Sequence, residues 1–214
     1  MRLALGVVAL AVAAAAAAPA TARGVEPGVY DYFIHHSIHG RIGEHRMTVE
    51  KDGEALVIEH DSEIALGLLF TVIYRREARS REVWQDDRLV SFESVIDDNG
   101  TILEVRARAE GDRLVIEGSN GRVSEAPGEI ATTQPSYEGA IERERFLKVA
   151  TGEVVEARVE PTGPNTVQVA GEEVEASHYR LSGELGREIW FDNAGLWVKW
   201  QLDRGGGTVT LMRQ

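Results

Sequence analysis

No cysteine occurs in the sequence. That excludes disulfides and a lipid-attachment box, so an exported chain of this kind must draw its stability from a packed core. Basic residues are in deficit: 23 Lys and Arg stand against 35 Asp and Glu, a net charge of −12. Nucleic acid and anionic lipid surfaces attract clustered Lys and Arg, so neither is an expected partner. Beyond the first twenty-two residues no apolar run approaches a transmembrane length. Motifs of catalysis are missing too. There is no G-x-S-x-G elbow, no HExxH and no H-x-H pair, and Gly205-Gly206-Gly207 lacks the strand-to-helix setting of a phosphate loop. The reading is therefore of a non-enzymatic protein without a cofactor.

What is present begins with a leader. Arg2 is a short positive region, residues 3–18 are apolar, and Ala20-Thr21-Ala22 is a small-x-small cleavage site. The Ala-rich run favours a signal peptide over an anchor. Cleavage after Ala22 would deliver to the periplasm a chain that does not span the membrane, one unit more acidic than the precursor. Residues 23–29 read as a linker and 30–214 as a single domain of a size that can bury a core.

The rest is a succession of short alternating strands and tight turns. Residues 30–38, 42–51 and 55–66 read as strands, the last two joined at Asp52-Gly53. A fourth strand begins at residue 69 and runs into Trp84. Asp86-Asp87 turns into 89–96, and Asp97-Asp98-Asn99-Gly100 into 102–109. Residues 114–118 follow. From 127 to 147 the alternation is lost, and residues 139–147 could form one short helix. Strands resume at 154–159, 166–169 and 174–181, with a break at 161–164, and end at 208–212. This pattern predicts an all-β, strongly curved antiparallel meander of about a dozen strands, half-barrel or barrel-like.

The most informative stretch is 187–201, echoed at 81–92, since both open with Arg-Glu-aliphatic-Trp. With Asp192 and Gly195 closing the turn, Trp190 would face Trp197 and Glu188 would face Lys199. Ile189, Phe191, Leu196, Val198 and Trp200 would then form the apolar face.

Two groups of residues could carry chemistry. His35, His36, His39 and His45 cluster early, with His60 and His178 further on, yet without metal-ligand spacing; they read as ordinary surface histidines, and no metal is expected. Glu59, Asp61 and Glu63 share a strand face and read as a solvated face more readily than as an acid pair. Aromatic side chains near hairpins are the better clue. Tyr74, Trp84, Trp190 and Trp197 are the ligand-binding candidates, because concave aromatic β-surfaces hold apolar or amphipathic molecules. The alternative places them in the core.

The series Ile42-Gly43-Glu44-His45, Arg81-Glu82-x-Trp84, Asp97-Asp98-Asn99-Gly100, Tyr179-Arg180-Leu181 and Trp190-Phe191-Asp192 resembles a family of exported, largely proteobacterial proteins of unknown function. Pro135-Ser136-Tyr137 departs from it in carrying Tyr where Trp is expected. The resemblance implies a curved antiparallel sheet similar to the half-barrels of periplasmic lipoprotein carriers, and it implies no catalytic residue. The leading expectation is binding of a lipid-like ligand. An envelope protein-protein module and an exported hydrolase using His or carboxylate groups are the alternatives.

Overall fold

The computed structural model describes residues 24–68 and 71–214. The expected signal peptide lies outside the described residues. Sixteen strands follow one another: β1 (Gly28–His36), β2 (Gly40–Asp52), β3 (Ala55–Leu68), β4 (Thr71–Gln85), β5 (Arg88–Asp98), β6 (Thr101–Glu110), β7 (Arg113–Glu117), β8 (Val123–Pro127), β9 (Ala131–Thr132), β10 (Arg145–Leu147), β11 (Val154–Glu156), β12 (Val159–Val169), β13 (Glu172–Leu181), β14 (Arg187–Asp192), β15 (Trp197–Arg204) and β16 (Gly207–Arg213).

Thirteen of these form one antiparallel sheet in the order β12-β13-β14-β15-β16-β1-β2-β3-β4-β5-β6-β7-β8. The first and last strands of the chain lie side by side in its middle. Its edges, β12 and β8, do not pair, so the sheet is not closed. Both edges are blunted against further pairing. β8 is five residues long and ends in Pro127, while β12 carries Pro161, Pro164 and a bulge between Pro161 and Gly163. The expected break at 161–164 is thus an irregular edge strand.

The curvature follows from what the sheet encloses. Laid flat, thirteen strands would span roughly 55–60 Å. Yet Leu181 of β13 and Ile116 of β7, ten strands apart in the sheet order, share one hydrophobic core. At the centre of that core is the chain's own segment 128–158, which includes nearly all of the stretch where the alternation lapses. It forms a small sheet in the order β11-β10-β9 and a 3-10 turn, Glu138–Glu142. Ile130, Tyr137, Ile141, Phe146, Leu147 and Val155 of this segment are buried. The short helix expected over 139–147 is therefore corrected to that turn followed by β10. Its one-turn length reflects immediate engagement with the sheet wall, where Glu138 N–H bonds Gly195 O at 2.8 Å and Tyr137 bridges Leu196. The expected linker is also partly core, for β1 begins at Gly28 and Val25 is fully buried.

Outer faces are set by charge. Across β3 and β4, Glu59 pairs with Arg81 at 3.3 Å and Asp61 with Arg79 at 3.1 Å, and Glu63 reaches Arg75 at 3.5 Å. The three carboxylates occupy the solvated face expected of them.

The register expected for the β14–β15 hairpin is not the one observed. Asp192 pairs with Leu196 around a three-residue loop, with Gly195 at φ +73. The Asp192 carboxylate holds the N–H groups of Ala194 and Leu196, each at 3.0 Å. A bulge then leaves Val198 unpaired, so Phe191 faces Trp197 and Trp190 faces Lys199. This is the three-residue hairpin with a left-handed Gly, which inserts one extra residue and reverses the faces beyond it. Trp190 and Trp197 consequently lie on opposite sides of the sheet. Trp197 joins the main core, and Trp190 joins a smaller outer cluster with Val167, Val169, Ala176 and Val198.

Candidate functional site

Where the inner segment meets the sheet wall, the core is polar. His45 of β2, His60 of β3 and Glu82 of β4 interrupt the apolar alternation of their strands and face inward, and all three are buried. Thr132, Gln134 and Ser136 of the inner segment meet them. Glu82 accepts from Trp84 Nε1 at 2.8 Å, Thr132 Oγ1 at 2.7 Å and Ser136 Oγ at 3.1 Å. Because Ser136 donates to Glu82, it accepts from His60 Nε2 at 3.0 Å. His60 Nδ1 is then an acceptor, 3.2 Å from His45 Nε2 and 3.3 Å from Gln134 Nε2. One directional chain therefore runs from His45 through His60 and Ser136 to Glu82.

Burial dominates the electrostatics. It pushes the Glu82 carboxyl up to about 7 against the pull of its three donors. It brings the His45 imidazole down to about 4. His60 is lowered well below its ordinary value by burial and then by His45. The two rings are neutral at pH 7. Chemically the chain could move a proton between His45 and Glu82. A nucleophilic role for Ser136 would need a substrate to reach it, and the nearby cavity among His45, His60, Ser62 and Gln134 is about 20 Å3, room for one water molecule. What the chain does mechanically is tie three consecutive sheet strands to the inner segment. The expectation of surface histidines is corrected for His36, His45 and His60, all buried. The clue in the sequence was their position on otherwise apolar inner faces.

The four aromatic candidates are dispersed. Trp84 is in the core, edge-on to Tyr137 at 5.2 Å. Trp197 is stacked on Tyr32 at 4.0 Å. Trp190 lies on the outer side between His178, stacked at 4.2 Å, and the Lys199 ammonium, 4.2 Å from its ring. Tyr74 is half-buried near the start of β4. They line no common cavity. Among the described residues no three His, Asp or Glu side chains converge as a metal site, and no helix is long and apolar enough to cross a membrane.

A surface groove of about 880 Å3 runs along the seam between the inner segment and β12–β13. Ile141, Val159 and Tyr179 give it apolar wall, and Arg143, Arg158 and Glu138 charge it. Tyr179 Oη donates to Glu138 at 2.7 Å across it.

Comparison with known proteins agrees with this architecture. A crystal structure of a beta-barrel-like protein of the domain of unknown function DUF1849, from Brucella abortus, superposes with a TM-score of 0.55 at 10% identity. The superposition covers 87% of this chain and 94% of that one, a likeness of fold. No curated protein matches the sequence. Residues 39–214, nearly the whole of the described sheet and its inner segment, match the domain of unknown function DUF6134, and the chain belongs to that family.

Proposed function

We propose that the chain is an exported, non-enzymatic scaffold of the cell envelope that acts through contacts made by its outside. One observation carries this reading: the concave side of the sheet, where a carrier would hold cargo, is filled by residues 128–158 of the same chain. Of the aromatic side chains that would have lined a ligand cavity, Trp84 and Trp197 are packed in the main core and Trp190 in the outer cluster. The inward-facing groups with acid-base character, His45 to Glu82, are shut inside the same contact. Native mass spectrometry of the mature chain, from Arg23 onward and purified from its own host, tests the reading. A bare-chain mass is expected. A stoichiometric co-purifying apolar molecule would overturn it.

The groove beside Tyr179 favours a second reading, an amphipathic ligand held at the seam. Its volume suits a small molecule. A ligand whose binding is lost on Tyr179→Ala, with the melting temperature of the free chain unchanged, would support it.

A further inference from the structure

In an antiparallel meander successive turns alternate between the two ends of the sheet, and the two ends here differ in kind. At one end of its β1–β8 half lie the turns β1–β2, β3–β4, β5–β6 and β7–β8. Each has an exposed aliphatic side chain in the turn or within the first residues of the strand that follows: Ile38, then Val72 and Ile73, then Ile102, then Val123. All five leave more than half of their surface exposed, and they are five of the seven large exposed hydrophobic residues among those described. Chance placement would scatter them over both ends and the outer face. The turns at the other end are acidic instead, with Asp52 and Glu54, Asp86 and Asp87, and Glu110 and Asp112 in succession. The β5–β6 turn of the apolar rim also carries Asp97 and Asp98, the latter paired with Arg76 at 2.8 Å.

The end of the β3–β4 hairpin also runs beyond the ladders to its neighbours. β2 pairs with β3 only as far as Ile64, and β5 pairs with β4 only from Arg76. Beyond those rows, residues 65–68 pair with 71–75 and with no other strand. At about 3.3 Å per residue this stretch of the hairpin is roughly 13 Å long. From Ala65 to Tyr74 the sequence holds no charged residue. Arg75 and Arg76 follow at its base, paired with Glu63 and Glu77 and with Asp98.

We infer that this end of the sheet docks on a lipid bilayer, with the aliphatic tips, Val72 and Ile73 foremost, entering the interface. The geometry distinguishes a bilayer from a folded partner. Consecutive turns at one end are two strand spacings apart, roughly 10 Å, so the tips are separate knobs on a curved rim with no groove between them. A rigid protein surface would have to match each knob, whereas headgroups and acyl chains deform around them. The length of this stretch covers the depth of about 5–10 Å at which interfacial segments sit. Because the chain is acidic, attraction comes from apolar insertion and not from anionic lipid.

This inference rests on the envelope reading above and names the surface through which it acts. The test is flotation of the mature chain with zwitterionic vesicles of phosphatidylethanolamine and phosphatidylcholine. The wild type is expected to float with the vesicles at low and at high salt, since apolar insertion is not screened. Val72→Glu with Ile73→Glu should lower the partition about tenfold or more, because each substitution puts a charge where an aliphatic group enters. Ile102→Glu with Val123→Glu should lower it less, and serves as the readout if the first pair fails to fold. Val29→Glu, equally exposed but at the acidic end, should change nothing. Absence of flotation, or flotation unaffected by both pairs, overturns the inference. So does self-association that the tip substitutions abolish in the absence of vesicle binding, which would make a second copy the occupant. A bare-chain mass together with failed flotation leaves the scaffold reading standing and removes only the bilayer; a co-purifying internal ligand removes the scaffold reading itself.

Discussion

The β4–β5 and β14–β15 hairpins open with the same four-residue pattern, Arg81-Glu82-Val83-Trp84 and Arg187-Glu188-Ile189-Trp190, and present it inside out with respect to each other. In the first, Glu82 and Trp84 face the core while Arg81 lies outside against Glu59. In the second, Ile189 faces the core and Trp190 lies outside, with Glu188 reaching Arg180 at 3.1 Å and His178 at 3.3 Å. Arg187 turns inward, where it donates to Thr133 O of the inner segment and lies 5.4 Å from the Trp200 ring. Burial lowers that guanidinium to about 10. One strand therefore holds the inner segment through its Glu and the other through its Arg. The lesson is that a local pattern does not choose its face. The charges further along β4 choose it there, since Arg75, Glu77, Arg79 and Arg81 alternate and can all be solvated only on one side. In β14 the aliphatic and aromatic residues Ile189 and Phe191 choose the other phase.

Truncating the paired tryptophans should break the symmetry of the motif most visibly. Trp84→Ala empties a fully buried site and should cost about 3–5 kcal/mol in a denaturant titration. Trp190→Ala, packed in the small outer cluster between His178 and Lys199, should cost about 2 kcal/mol. Equal losses would mean that the two sites are equivalently packed. Next in size are the glutamates. Glu82→Ala strands three buried donors and should cost about 3 kcal/mol. Glu188→Ala removes half-exposed ion pairs and should cost no more than about 1 kcal/mol.

A pH profile of stability sharpens the same contrast. His45 is depressed from 6.5 to about 4, so the stability it contributes is complete above pH 6.5 and is lost as pH falls toward 4; His60 acts in the same direction. Glu82 is raised from 4.5 to about 7, so its contribution is complete below pH 4.5 and is lost as pH rises to 7. Two histidines rising against one carboxylate falling place the maximum near pH 6.5, with slopes of about 1.4 kcal/mol per pH unit for each titrating group. Replacing Glu82 with Gln should abolish the decline between pH 6.5 and 7, whereas Glu188→Gln should leave it in place. The smallest effect concerns the β12–β13 hairpin, which supplies the outer cluster around Trp190. Its turn holds Ala170 at φ +51, a left-handed conformation disfavoured for any residue with a Cβ. Ala170→Gly should raise stability by about 1 kcal/mol, read as a higher midpoint in thermal melting; no gain would mean that the turn is not strained.

Much of this fold was legible without coordinates. Period-two alternation and turn pairs such as Asn99-Gly100, with φ +55 and +90, place most strands to within a few residues. Gly207 was readable only as part of a flexible triplet; in the structure a Cβ there would meet Ser37 Oγ at 2.6 Å and His36 Cε1 at 2.7 Å, so the turn closes against β1. The buried chain from His45 to Glu82 was less legible. Its members come from three strands and a segment without periodicity, and their contact depends on pairings up to 76 residues apart in sequence.

Sequence alone determined the class of the fold, the order of its hairpins and the charged outer face of β3 and β4, because these depend on local alternation and turn chemistry. Tertiary structure alone decided which side of β14 faces the core, what fills the sheet and which turns share an end. A bulge of one residue reverses a face, and the inner segment is recognisable as a filling only once thirteen strands have curved around it. Those outcomes depend on contacts between residues far apart in the chain, which no window of sequence contains.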